Sequence, residues 1–299
     1  MATQAPTLGY YLGCPGWASA GRSGELYSRS ASKDDRMREY STVFNTVEGN
    51  TTYHAIPTVE KVRRLANEAV PGFRFALKFP KAISHERQLL NADVETALFL
   101  ELLDILARAD RLGPSFLQLS PTFSSRKFGA LRTYLRKLPK EFPYAVEVRH
   151  EDFFDKGRNE QALDSLLGDL GIDKVILDTT PLFSAPPNDE YEEGAQQNKP
   201  RVPLRRSVTG TRPMVRIIGR DQAELVQPYF DDWAPIVAEW ITAGLTPYVF
   251  AHAPDDVRAA ELARRFHLTL MKHLPSVAPL PAFHGEAESA SKPRQQELF

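Results

Sequence analysis

The 299-residue chain holds one cysteine, Cys14. An internal disulfide is therefore excluded, and so is a metal centre held by several thiolates. Nowhere does an apolar run approach the roughly 18–20 residues that a membrane-crossing helix needs. The first residues, Met1 to Leu8, lack both a basic segment and an apolar core of signal-peptide length. A soluble, cytoplasmic protein is the expectation. Charge of one sign is also missing: 37 Lys and Arg face 38 Asp and Glu, for a net charge of −1. No global field draws the whole molecule to nucleic acid or to an anionic membrane, so any anion binding must be local. Glycine-rich phosphate loops of the Rossmann or P-loop kind are absent as well.

What is present is ordinary globular composition, 42% hydrophobic and 25% charged. Short β-rich runs alternate with longer helical patterns, which marks repeated βα units. Eight strands are predicted at 9–13, 43–48, 73–78, 115–119, 144–149, 174–178, 214–218 and 247–251. Helical stripes lie between them. Val59, Val62, Leu65 and Ala66 form one, and Val94, Leu98, Leu102, Ile105 and Leu106 a second. Leu131, Tyr134, Leu135 and Leu138 form a third, stopped by Pro139, and 255–274 closes the set.

Eight strands with seven crossovers predict an α/β protein of the closed TIM (β/α)8 type, as a single domain over 1–275. The segment 179–212 is too long for a simple connection and is rich in Pro, Asn and Glu. It reads either as an insertion after the sixth strand that forms a lid, or as a solvated loop. From 276 to 299 composition predicts a flexible tail.

In a barrel of that kind the site lies at the C-terminal strand ends. Polar residues gather there: Glu48 and Asn50, then Lys78 and His85, then Gln118. Glu147, Arg149 and His150 follow, and after them Asp178, Arg216 and His252. Glu147 and Arg149 are two apart and so share one face of their strand. Buried charges are costly unless paired or bound to a ligand, which makes these strand ends the candidate site.

Several of these residues sit in short motifs that occur in order. They are Gly13-Cys14-Pro15-Gly16-Trp17, Val47-Glu48-Gly49-Asn50-Thr51-Thr52-Tyr53 and Lys78-Phe79-Pro80-Lys81-Ala82-Ile83-Ser84-His85. Gln118-Leu119-Ser120-Pro121, Glu147-Val148-Arg149-His150 and Arg216-Ile217-Ile218-Gly219-Arg220 complete the set. In this the chain resembles the YecE-like family (domain of unknown function seventy-two), and its bacterial YecE branch most, from about Gly9 to Leu274. The resemblance implies a TIM barrel and brings no established activity. Two positions depart from the family pattern. Ile218 stands where a histidine is common, and the last strand leads into Phe250-Ala251-His252-Ala253-Pro254-Asp255 where paired asparagines are common.

Lys and Arg together favour an anionic ligand, bearing phosphate or carboxylate. Glu48 or Glu147 would then act as general base and a histidine such as His252 as acid, with the remaining strand-end residues binding the ligand. No cofactor motif is present; a divalent metal held by Glu48, Glu147, Asp178 and a histidine is the alternative chemistry. Cys14 reads as a nucleophile or, more simply, as a small buried thiol.

The last residues, Gln295-x-x-Leu298-Phe299, resemble the peptide by which bacterial DNA-processing proteins dock on the replication sliding clamp. A tethered Leu-Phe pair can fill an apolar pocket while Gln supplies a directional hydrogen bond. Three functions thus stay open. One is a clamp-tethered enzyme acting on nucleic acid. The others are a cytosolic hydrolase or lyase of a small metabolite and a non-catalytic ligand-binding protein.

Overall fold

A computed structural model describes residues 3–291. Each of the eight predicted segments carries a strand. They are β1 Tyr11–Gly13, β2 Thr46–Gly49, β3 Arg74–Leu77, β4 Ser115–Gln118, β5 Tyr144–Glu147, β6 Asp173–Asp178, β7 Met214–Ile218 and β8 Tyr248–His252. The helices are α1 Asp35–Val43, α2 Thr51–His54, α3 Val59–Glu68, α4 Asp93–Arg108, α5 Phe128–Lys137 and α6 Arg158–Leu170. They continue with α7 Glu190–Asn198, α8 Ala223–Thr242, α9 Ala259–His273 and α10 His284–Ser291.

The closed eight-stranded TIM (β/α)8 barrel does not form. All strand pairs are parallel, but they make an open, curled six-stranded sheet, β1-β8-β7-β6-β5-β4, and a separate two-stranded sheet, β2-β3. Side chains explain the seam between β1 and β2. The Leu12 amide donates to Asn45 Oδ1 at 2.8 Å and the Cys14 amide to Tyr40 Oη at 2.8 Å. These backbone donors are taken before a ladder can start, and Pro15 has none to offer. A single bridge, Pro15 to Glu48, remains there, and the bridges Phe75–Leu112 and Lys78–Phe116 span the seam between β3 and β4.

One apolar layer fills the inside of the curl: Ala76, Phe116, Ala145, Val175, Met214, Tyr248 and Phe250. Because side chains alternate along a strand, the positions two further on also face inward. They are Lys78, Gln118, Glu147, Leu177, Arg216 and His252. The charged cluster is thus the next layer above an apolar floor, and the Arg216 guanidinium stands 5.3 Å from the centre of the Phe116 ring.

The helices cover the outside, with two departures from the sequence pattern. Val94 and Leu98 of the second stripe are exposed, while Phe99, Leu102, Leu103 and Leu106 are buried beneath α4. Beyond α9 the described chain packs again as far as α10. Phe283 is buried, the Gly285 amide donates to the Glu25 carbonyl at 2.9 Å, and Arg264 pairs with Glu286 at 2.7 Å.

The segment 179–212 is built rather than loose. Asp189 caps α7 by accepting from the Glu192 amide at 2.8 Å, and Leu182 packs on Leu177 and Ile218. Glu192 is fully buried and clamped by Arg220, whose Nε donates to it at 3.1 Å. The Asn188 and Asp221 amides also donate to this carboxylate, at 2.8 and 3.2 Å. Glu192→Ala is expected to free this segment while the sheets stay folded. Losing one charge-assisted hydrogen bond is worth about 1.5–3 kcal/mol, so native-state proteolysis within 179–212 should accelerate at least about tenfold. Unchanged cleavage would show that the clamp does not hold the insertion.

Candidate functional site

The site is built outward from one guanidinium. Arg216 on β7 donates through Nε and Nη2 to Glu48 Oε2 and Oε1 on β2, at 2.7 and 2.8 Å. Its Nη1 donates to Glu147 on β5. Glu48 also accepts from Asn50 Nδ2 at 2.8 Å and lies 2.9 Å from His252 Nε2 on β8. Glu147 accepts from Arg149 Nε at 2.7 Å, and Arg149 Nη2 donates to Gln118 Oε1 on β4 at 2.7 Å. Both carboxylates are fully buried.

Burial alone would raise their pKa values. For Glu147, the neighbouring Arg216 and Arg149 outweigh burial and bring it down to about 2; for Glu48, Arg216 and His252 hold it well below the usual carboxylate range. Both are therefore permanent anions that hold Arg216. His252 is driven below its usual range by burial, despite the pull of Glu48, and stays neutral with Nε2–H directed at that carboxylate.

Lys78 is placed differently. Its Nζ sits 4.0 Å over the Tyr53 ring and has no hydrogen-bond acceptor or ion-pair partner among the described residues. Burial and the adjacent Arg216 bring its ammonium down to about 7, against the opposing pull of Glu147. His85 packs edge-on against Tyr53, ring centres 5.3 Å apart, and burial together with Lys78 and Arg149 holds it down at about 4. Lys199, just past α7, is also depressed, first by burial and then by Arg216.

Glu48, Asn50, Lys78, His85, Gln118, Glu147, Arg149, Arg216 and His252 are thus brought together around the strand ends. His150 and Asp178 are not in this cluster. His150 caps a short turn, accepting from the Asp152 amide at 3.2 Å. Asp178 binds Trp233 Nε1 of α8 at 2.7 Å and the Thr180 amide at 2.9 Å. Strand alternation accounts for both: each is one residue out of phase with an inward position, Arg149 or Leu177. Sequence reasoning missed Tyr53 and Lys199. Tyr53 closes the Glu48–Asn50 motif, so a signal was available; Lys199 carried none.

Cys14 is buried and its thiol is pushed up to about 11, mainly by burial, which makes it a packed thiol rather than a nucleophile. Ile218 packs beneath the insertion against Leu182. The metal alternative does not fit the donor set. Arg216 occupies the space between the two glutamates, Asp178 faces α8, and no group of three His, Cys, Asp or Glu among the described residues could hold an ion. Gln295, Leu298 and Phe299 lie outside the described residues. Among the described residues no helix is long and apolar enough to cross a membrane.

A parallel α/β scaffold with a buried carboxylate–arginine cluster at its strand ends is the class that fold and site define. The chain belongs to the family described as Protein of unknown function DUF72, whose model matches residues 11–284. It is 40% identical over 263 residues to the UPF0759 protein YecE of Escherichia coli strain K12, covering 88% of this chain and 92% of that one. Among solved structures it is similar to a DUF72 family protein from Enterococcus faecalis V583. That match has a TM-score of 0.66 and 21% identity, and covers 90% of this chain and 98% of the other. A DUF72 family protein from Thermotoga maritima MSB8 matches with a TM-score of 0.63 and 20% identity, covering 89% and 99% of the two chains.

Proposed function

We propose that the strand-end mouth binds a small molecule bearing phosphate or carboxylate and carries out acid–base chemistry on it. The observation that carries this reading is the isolated Lys78 ammonium. It lies among Arg149 and Arg216, while the glutamates of the cluster are already engaged by those guanidiniums. An arriving anion would relieve that crowding, and Arg149 keeps Nη1 unused for it among the described residues. Lys199 would approach the same anion from the insertion.

In this reading Glu48 and Glu147 position Arg216, because a carboxylate held so far down is a poor base. Lys78 takes the proton-transfer role, since an amine near pH 7 can both accept and return a proton. A small anion is favoured over nucleic acid because the glutamates and Arg216 are buried.

The test is thermal unfolding with inorganic phosphate, pyrophosphate, citrate and a short DNA strand, with Arg149→Ala run in parallel. A ligand at 100 times its Kd stabilises by about 2.7 kcal/mol, which is several degrees in Tm. The expected result is a rise with at least one small anion in the wild type and little rise in Arg149→Ala. Equal rises in both proteins, or a response to DNA alone, would overturn the reading.

A further inference from the structure

We propose that Lys78 is an amine nucleophile, forming a Schiff base with the carbonyl group of an oxo acid or of a phosphorylated aldehyde or ketone. This rests on the anion-binding reading and adds the bond that forms. A lysine used only to attract an anion would keep its charge by pairing with a carboxylate or by standing in water. Lys78 does neither: it is 9% exposed and lies against the Tyr53 ring. Arg216 and Arg149 oppose its charge, Glu147 and Glu48 favour it, and His85 stands beside it as a neutral ring. Burial next to other cations is the setting in which a lysine amine becomes nucleophilic. Its titration near 7 leaves about half of it neutral at pH 7, against roughly 1 in 2,500 for a lysine at the ordinary value of about 10.4.

The step balances with groups at hand. The Nζ lone pair forms the C–N bond while the carbonyl π electrons move to oxygen, which takes up a proton. The nitrogen then gives up a proton, the oxygen leaves as water, and a C=N bond remains; no oxidant or reductant enters. The proton that the oxygen takes up and the one that the nitrogen releases exchange with water, and the Tyr53 ring walls the amine on one side. The acid group that would bring such a carbonyl to Lys78 is the one Arg149 and Lys199 would hold.

The test uses the full chain with glyoxylate, pyruvate and dihydroxyacetone phosphate, each with sodium cyanoborohydride at pH 7, read by intact mass and peptide mapping. The expected result is one reduced adduct per chain at Lys78, formed at least tenfold faster than on the average exposed lysine and slowed by inorganic phosphate. Lys78→Met should lose that adduct, with a thermal melt confirming that it is folded. Lys78→Arg keeps the charge and should lose the adduct as well. Adducts spread evenly over surface lysines, or unchanged labelling in Lys78→Met, would overturn the proposal. Stabilisation by phosphate with no Lys78 adduct from any of the three probes would sink the Schiff base and leave the anion site standing. Absence of both would remove both.

Discussion

Arg216→Met is expected to destabilise the protein by about 3–5 kcal/mol at pH 7, the range found when one partner of a buried ion pair is removed. The methionine fills much of the volume, so the loss comes from the charge. Glu48 would keep only Asn50 and the neutral His252, and Glu147 only Arg149. In the intact protein these carboxylates titrate below their ordinary range, so they bind fewer protons than the unfolded chain as pH falls toward them. Their stabilising contribution is complete above about pH 4.5 and is lost as pH drops toward 2. In the variant at least one buried carboxyl should titrate upward instead, so its deficit should narrow between pH 7 and 5. Urea unfolding at both values measures this. A deficit under about 1 kcal/mol, or one constant with pH, would mean that the cluster is not held by Arg216.

Lys78→Met should do the opposite to stability and abolish the response to anions. The Lys78 amine titrates near 7 in the folded chain, against about 10.4 for an unperturbed lysine. Between those values the unfolded chain binds the extra proton, so wild-type stability should rise with pH, by up to about 1.4 kcal/mol per unit from this group. Lys78→Met removes that dependence and should be the more stable protein at pH 7, with the gap closing toward pH 10. Urea midpoints at pH 7, 8 and 9 decide it. Parallel pH profiles for the two proteins would show that Lys78 is an ordinary solvated amine.

The inward positions were legible because strand periodicity is simple. Once Ala76, Ala145, Met214 and Phe250 are placed on the floor, Lys78, Glu147, Arg216 and His252 follow by alternation. The same rule, applied within each strand, would have set aside Asp178 and His150. Helix α8 is harder to see, because Pro228 and Pro235 interrupt its periodic pattern and tertiary packing overrides them. The division into two sheets had no sequence signal. It depends on Asn45 and Tyr40 meeting the amides of Leu12 and Cys14, contacts that exist only after the chain has folded back on itself.

The two seams give the ion cluster a mechanical meaning. Glu48 belongs to the smaller sheet, whereas Arg216, Glu147 and His252 belong to the larger one. With one bridge at the first seam and two at the second, the Glu48–Arg216 pair acts as a rivet across a parting line. Lys78 follows β3 on the smaller plate and Arg149 follows β5 on the larger. An anion held by both would be a second rivet. Filling the site would then join the two plates at a further point besides the one Arg216 already makes.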